Sequence, residues 1–233
     1  MKLLVVAADR MELVGILVRA RNVRRPRLPV DWTRAIELAG NEMMLVANGI
    51  GRKRAGAAVD IAARGFHPHA VVSTGFCGAL DEALHIADVI VGTEIISSSG
   101  RARAERLPRR PECPDREGPI CSIDYIARTA SEKSRLRDLG GCAVEMEAAG
   151  VVERAEALGL PFFCVRAVTD LAGEDMANDF NAALRPDGHF DTMAILRRSF
   201  RHPAARLSEL LRLRGRCARA ARSLGEFFAD RRF

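Results

Sequence analysis

The sequence predicts an α/β protein, a three-layer α/β/α arrangement with a central mixed sheet, and three patterns lead there. The chain begins with a short apolar run, Lys2 to Ala8, followed at once by a helix-like segment from Asp9 to Leu17. A strand feeding directly into a helix is the unit of layered α/β architecture. AVVSTG (Ala70 to Gly75), DVIVGTEII (Asp88 to Ile96) and PFFCVRAVTD (Pro161 to Asp170) are apolar without alternation, as strands covered on both faces are. No internal repeat and no linker divides the 233 residues, so one domain is expected over 1–233, with an Arg-rich helical extension from about 200 to 233.

Between these landmarks each segment takes its own reading. The basic, proline-broken stretch Arg19 to Pro29 reads as a loop, and AIEL, the turn AGN and EMMLVANG as a hairpin. Gly49 and Gly51 lead into a helix from Arg52 to Arg64, whose alanines and Ile61 make an apolar face. Ser97 to Pro119 has neither helical nor strand period and is expected to be a mobile loop. ICSIDYI reads as a strand, AVEM as a strand running into a helix from Glu147 to Leu158, and Gly159-Leu160-Pro161 as its stop. Helices are expected around Met176 to Phe200 and from Pro203 to Phe228.

Composition narrows the function classes. The opening apolar run is short and ends in Asp9-Arg10, and no stretch reaches the roughly 18 apolar residues of a membrane span, so a soluble, cytoplasmic protein is expected. The six cysteines form no CxxC pair and no Cys/His spacing suited to zinc, which predicts reduced core thiols and no metal. Net charge is +6, but Lys2, Lys53 and Lys133 are the sole lysines, a skew that nucleotide composition can produce without any anionic partner. With aromatic residues at 5% and no basic stretch interleaved with stacking rings, nucleic acid is not an expected partner.

Chemistry concentrates in three places, each at the end of a strand, where open α/β sheets bind ligands. AVEMEAAGVV sets Glu145 and Glu147 in an apolar run, although carboxylates are rarely buried without a partner. In an extended segment the two share one face with Met146 opposite, and a strand-end carboxylate can accept both hydroxyls of a ribose cis-diol. Ser73-Thr74-Gly75-Phe76-Cys77-Gly78 lacks the Lys-Ser/Thr ending of a nucleotide P-loop, and its glycines suit close approach to a small ligand. Arg166 and Thr169-Asp170 end the third strand. Plainer readings compete: Asp170 as a helix N-cap, Glu12 on a solvated helix face, Met146 and Tyr125 as core, His67 and His69 as surface residues rather than metal ligands.

STGFCGAL…ADVIVGTE, AVEMEAAGV and PFFCVRAVTD together resemble the nucleoside phosphorylase and nucleosidase superfamily over residues 1–196, most closely its methylthioadenosine/S-adenosylhomocysteine nucleosidase branch. The resemblance implies a nucleoside phosphorylase-like fold, a small-molecule nucleoside substrate, no cofactor, and a dimer or larger homo-oligomer. It implies that Asp170 protonates or hydrogen-bonds N7 of a purine, that Glu147 holds the ribose hydroxyls with Met146 against the sugar, and that Glu145 orients the segment. It places Glu12 as the glutamate that activates water, Arg166 as completing that polar cluster, and Tyr125 and Ile126 on the purine ring, making adenine the expected base.

The chain also departs from that pattern. Where phosphorylases carry a Gly- and Arg-containing loop after the first strand, it has Ala7-Ala8-Asp9-Arg10. After Thr74-Gly75 it has Phe76 instead of a hydroxyl residue, and a phenyl ring cannot hydrogen-bond phosphate. Hydrolysis is therefore preferred, with phosphate as co-substrate left open by Arg10, Arg52 and Thr74. The stretch between Glu94 and Tyr125 is shorter than the family's, which opens the pocket wall. The tail LSELLRLRGRCARAARSLGEFF reads as a basic amphipathic helix with a stripe of Leu207, Leu210, Leu211, Leu224 and Phe227, suited either to an anionic membrane surface or to packing on the body. An open pocket and such a tail resemble the phosphorylase-like proteins of hopanoid biosynthesis, which implies adenosylhopane as substrate. A general purine nucleosidase acting on a small nucleoside and a non-catalytic binding protein are the competing readings.

Overall fold

Among the described residues ten strands make one mixed sheet, whose topology brings parts of four strands to the same place. The computed structural model describes residues 1–107, 116–200, 203–231 and 233. β1 (Lys2–Ala7) runs into α1 (Arg10–Val18), then β2 (Arg21–Arg24), β3 (Trp32–Leu38), β4 (Asn41–Ala47) and α2 (Arg52–Phe66). β5 (Ala70–Ala79), β6 (Val89–Ser97), β7 (Gly100–Arg103) and β8 (Arg116–Ser122) precede α3 (Ala130–Asp138). β9 (Ala143–Glu145), α4 (Ala148–Ala157) and β10 (Phe162–Asp170) follow, then α5 (Thr192–Ser199) and α6 (Pro203–Asp230). The order is β10-β6-β8-β9-β5-β1-β4-β3-β2, with β7 on β6, and β10 pairs again with β5, so five strands close into a ring.

The continuously apolar strands are central, as covering on both faces requires. On one face, Leu4, Val6 and Val71 pack against Ala55, Val59 and Ala62 of α2 and Val151, Val152 and Ala155 of α4. On the other, Leu3, Val5 and Val72 pack against Leu13 and Ile16 of α1 and Ala220, Leu224 and Phe228 of α6. A Cβ on Gly15 would stand 1.7 Å from the Ala221 carbonyl oxygen, so α1 and α6 touch backbone to backbone because glycine occupies that place.

Several expectations are corrected. Arg19 to Pro29 is not wholly loop: Arg21–Arg24 is an edge strand on β3. Ser97 to Pro119 contains β7 and most of β8, which pair with β6; the expected mobility of its centre falls on 108–115, outside the described residues. ICSIDYI is strand only to Ser122. Met176 to Phe200 is not one helix: Asn181–Ala183 is a 3₁₀ turn, Leu184 bridges to Phe190, and α5 supplies the sole α-helical piece. There Asp179 and Asp187 accept backbone N–H groups locally, and Pro186-Asp187-Gly188 forms a turn with Gly188 at φ 75°, which competes with helix.

The C-terminal helix packs on the body along most of the expected stripe, Leu207, Leu210, Leu224 and Phe227, but not Leu211. Leu224 is fully buried and Phe227 half-buried, whereas Leu211 is 71% exposed. No helix among the described residues is long and apolar enough to cross a membrane. Cys77, Cys121, Cys142, Cys164 and Cys217 are free thiols; Cys113 lies outside the described residues.

Candidate active site

The end of β1, the bend of β5, the end of β9 and the end of β10 surround one cavity of about 220 Å³. At the β1 end, Asp9 caps α1 and Glu12 completes a reciprocal capping box, so its carboxylate turns back toward the strand ends instead of outward. Glu12 Oε2 accepts from the backbone N–H of Ala8 at 2.8 Å and of Asp9 at 3.0 Å, and Oε1 from Phe76 at 2.8 Å. The solvated-face reading of Glu12 is thereby excluded: the side chain is buried. Burial raises its pKa, against the pull of those N–H groups and Arg166.

Arg166 lies behind the cavity at the hub of this network and is fully buried. Its Nη2 donates to Ser73 Oγ at 2.6 Å and to Glu145, and Nη1 donates to the Thr74 carbonyl at 3.0 Å and reaches Glu147 Oε2 at 3.5 Å. The bend at Gly75 makes room for this. Its φ is +135°, and a Cβ there would stand 2.5 Å from Glu12 Oε1 and 2.9 Å from Arg166 Nη1.

Glu145 Oε2 also accepts the N–H of Glu147 at 2.9 Å and of Ala148 at 2.8 Å, fixing the start of α4. Glu147 Oε1 accepts the Gly51 N–H at 3.0 Å. Arg166 thus pairs with two buried carboxylates, Glu145 and Glu147, and acts electrostatically on a third, Glu12, while burial with the adjacent Glu145 pushes the Glu147 pKa up to about 8, against the pull of Arg166. The expected alternation of Met146 against the two glutamates does not hold, because the strand stops at Glu145 and Glu147 is already αR. All three residues line the cavity.

At the opposite end stands Asp170, the last residue of β10, placed by a register shift after Val168 that sets it beside Gly78. It is not a helix N-cap. Lys133 of α3 donates to its Oδ2 at 2.5 Å and to the Leu171 carbonyl at 2.6 Å, and Thr169 Oγ1 donates to Oδ1 at 3.2 Å. Burial raises the Asp170 pKa, and the lysine opposes it.

The structure brings Glu12, Phe76, Tyr125, Ile126, Glu145, Met146, Glu147 and Asp170 to the cavity wall, with Tyr125 44% exposed at its mouth. Thr74, Gly75 and Arg166 stand behind it, and the Thr74 hydroxyl is buried without a hydrogen-bond partner. Sequence reasoning missed Ile50, Met176 and Phe190 on the wall, and Lys133 behind Asp170. Thr129-Ala130-Ser131-Glu132 is a capping-box signature that announces α3, and both of its reciprocal bonds form. That signal finds the helix but not the lysine's partner. Among the described residues no group of three His, Cys, Asp or Glu side chains is placed to hold a metal ion.

The 5′-methylthioadenosine/S-adenosylhomocysteine nucleosidase of Actinobacillus succinogenes is 28% identical over 177 residues, 64% of this chain and 76% of the relative. The Staphylococcus saprophyticus enzyme of that name is 28% identical over 174 residues, 63% of this chain and 76% of the relative. Two solved nucleosidases share the fold. The Neisseria meningitidis structure with methylthio-immucillin-A has a TM-score of 0.70 at 23% identity over 98% of both chains. The Colwellia psychrerythraea structure with adenine has 0.66 at 21% identity, over 74% of this chain and 84% of that one. Residues 3–198 match the sequence pattern of the Phosphorylase superfamily, and with a match over that much of its length the chain belongs to that family.

Proposed function

We propose that this protein hydrolyses the N-glycosidic bond of an adenine nucleoside whose 5′ position carries a bulky group, adenosylhopane being the substrate that the sequence departures favour. The observation that carries the reading is the distribution of buried charge along one cavity. An excess of carboxylates, Glu12, Glu145 and Glu147, gathers at one end, and an acid paired with a lysine stands at the other. Glycosidic cleavage needs that polarity, because the sugar becomes oxocarbenium-like while the base leaves with the bonding electrons.

In this reading Glu147 binds the ribose diol. Burial and the neighbouring Glu145 raise its pKa and favour the protonated form, so one oxygen can donate to a hydroxyl and the other accept. Asp170 delivers a proton to N7 as the C1′–N9 bond breaks. Water then attacks C1′ and gives its proton to Glu12, a buried carboxylate on the cavity wall whose pKa burial raises. Ile126 and Phe76 pack against the ring and the sugar, and the relatives' names, which specify adenine nucleosides, support the choice of base.

Water is preferred to phosphate because the groups a phosphate could use are engaged, absent or, like the exposed Arg10, not on the cavity wall. Arg52 is held by Glu153 and Ser99, the Thr74 hydroxyl is buried outside the cavity, and Phe76 offers a ring.

A cavity of 220 Å³ lies below the roughly 300–1,000 Å³ of most ligand pockets, so a substituted nucleoside must extend beyond it. At Ile50 it meets a cleft of about 810 Å³ whose walls carry Ala57, Leu184 and Pro186 together with charged residues, among them Arg52, Arg54, Arg154 and Arg185, each paired with an acid. This gives room for a large 5′ group. Access from a lipid surface is better supported for α5 and the residue after it, where Met193, Leu196 and Phe200 are exposed a few residues along the chain from Phe190 of the cavity wall, than for the packed C-terminal helix.

Purified protein is incubated with adenosylhopane and with methylthioadenosine, with and without phosphate, and free adenine is measured. Release from adenosylhopane in phosphate-free buffer is expected. Release from methylthioadenosine alone overturns the choice of substrate, release only with phosphate overturns hydrolysis, and no release from either overturns the proposal.

A further inference from the structure

Lys133 is 1% exposed, and burying an ammonium costs several kcal/mol unless partners replace its hydration. Its partners are two. Nζ stands 2.5 Å from Asp170 Oδ2 and 2.6 Å from the Leu171 carbonyl oxygen. The lysine is held there from both sides. The Thr129/Glu132 capping box fixes the first turn of α3, Ala130 N–H donates to Asp175 Oδ1 at 2.7 Å, and Met176 N–H donates to the Arg128 carbonyl at 2.8 Å. Helix α3 and the segment after Asp170 are therefore locked together around one ammonium–carboxylate contact.

This contact changes what Asp170 can do alone. A carboxylate already accepting an ammonium proton has no proton of its own to give; the pair's proton is on the lysine. Moving it across the 2.5 Å contact converts ammonium plus carboxylate into amine plus carboxylic acid at no change in total charge. Exclusion of water favours that neutral form, because burial disfavours both charges. The other charged or titratable groups near Asp170 do not compete for the role. Glu174 is tied to Arg216 of α6 by bonds of 2.6 and 2.8 Å, and the Cys77 thiol is buried, its pKa raised well above the usual value by that burial. Cys217 of α6, also largely buried, has its pKa pushed up to about 12.

We propose that Lys133 is the source of the proton that Asp170 delivers to the departing base. The inference rests on the adenine-releasing reaction proposed above. As C1′–N9 breaks and its electron pair moves into the purine, one proton passes from Lys133 Nζ through Asp170 Oδ2 to N7, which leaves Asp170 a carboxylate and Lys133 a neutral amine. The neutral amine keeps an N–H bond to the Leu171 carbonyl. Water adds to C1′ and releases a proton through Glu12, and the amine recovers a proton from solvent, so the cycle closes with no proton gained or lost by the enzyme. Lys133 touches no substrate; it is a positioning residue that acts through Asp170.

The test compares two leaving groups on one sugar: the adenine nucleoside that the wild type cleaves, and the same 5′-substituted riboside bearing 4-nitrophenolate, which departs without a proton. Lys133→Met is expected to lower kcat for adenine release by about 10²-fold with KM unchanged, and to spare nitrophenol release. Lys133→Arg keeps the charge but cannot surrender its proton, and is expected to be equally slow on adenine. Restoration of adenine release by Lys133→Arg overturns the inference, as does an equal loss on both leaving groups. Should Lys133→Met fail to fold, Lys133→Arg alone decides: it must be slow on adenine and fast on nitrophenol, and either restored adenine release or an equal loss on both leaving groups overturns the inference. A wild type that releases no adenine refutes the function; an active wild type whose Lys133→Met variant keeps full kcat refutes this inference only.

Discussion

The two ends of the cavity, which we propose hold the sugar and the base, solve opposite electrostatic problems with the same kind of residue. At the proposed sugar end two carboxylates pair with one guanidinium and a third, Glu12, is buried close by, an arrangement suited to a cationic sugar. At the base end one carboxylate faces one ammonium, a neutral pair that can redistribute a proton without building charge. A buried acid's role is thus set by its neighbours: where carboxylates outnumber cations it favours positive charge, and where they balance it can pass a proton on.

The largest expected effect breaks the base end. Asp170→Asn removes the proton route but keeps shape, so adenine release should fall about 10²–10⁴-fold in kcat with little change in ligand affinity, read by single-turnover kinetics and adenine titration. Unchanged kcat would remove the base end from the chemistry.

Next is the hub of the sugar end. Arg166→Met leaves Glu145 and Glu147 buried without their cation and is expected to cost about 3–5 kcal/mol of stability, measured by denaturant unfolding. Loss of activity at unchanged stability would mean that the arginine acts on substrate directly rather than through the glutamates.

A smaller, two-sided effect is expected at Glu147. The folded carboxyl keeps its proton up to a pH of about 8, whereas its ordinary value is 4.5. Between those values the folded protein binds more protons than the unfolded chain, so stability from this group is present at low pH and is lost as pH rises toward 8. Glu147→Gln should therefore raise the melting temperature most at pH 8–9. Because an amide also donates and accepts, the ribose contact is kept and kcat/KM is expected to fall by less than about tenfold. A melting gain that is independent of pH would contradict the raised pKa.

The smallest effect tests the nucleophile. Phe76→Ser restores a hydroxyl beside the sugar end, and the rate is expected to remain independent of phosphate because Arg52 stays tied to Glu153. Phosphate-stimulated adenine release by this variant would show that the ring alone stands between the two mechanisms.

Much of the sugar end was legible because its residues are local. Glu145, Met146 and Glu147 are consecutive, and Asp9 with Glu12 forms a capping box within one turn. Arg166 and Asp170 end a run so apolar that any charge in it asks for a reason. The base end was legible by half. Asp170 announced itself, but Lys133 lies in a polar helix, among charged neighbours that look like a solvated face. The long helix expected over Met176 to Phe200 failed for a local reason, since side chains in Asn-Asp-Phe-Asn and Pro-Asp-Gly-His bind the backbone that a helix would need.

By itself the sequence determined the layers, because apolar runs without alternation must be covered on both faces and glycines at strand-to-helix junctions permit close approach. It also determined which acids are present at strand ends. Only the tertiary structure decided what those acids are. The ring closure of β10 onto β5 puts Arg166 beneath three glutamates, and the docking of α3 against the end of β10 puts an ammonium 2.5 Å from Asp170. Both contacts join residues 19 or more positions apart. The physical reason is that a carboxylate's proton affinity depends on burial and on the charges within a few ångströms, and those are properties of the fold rather than of any short stretch of chain.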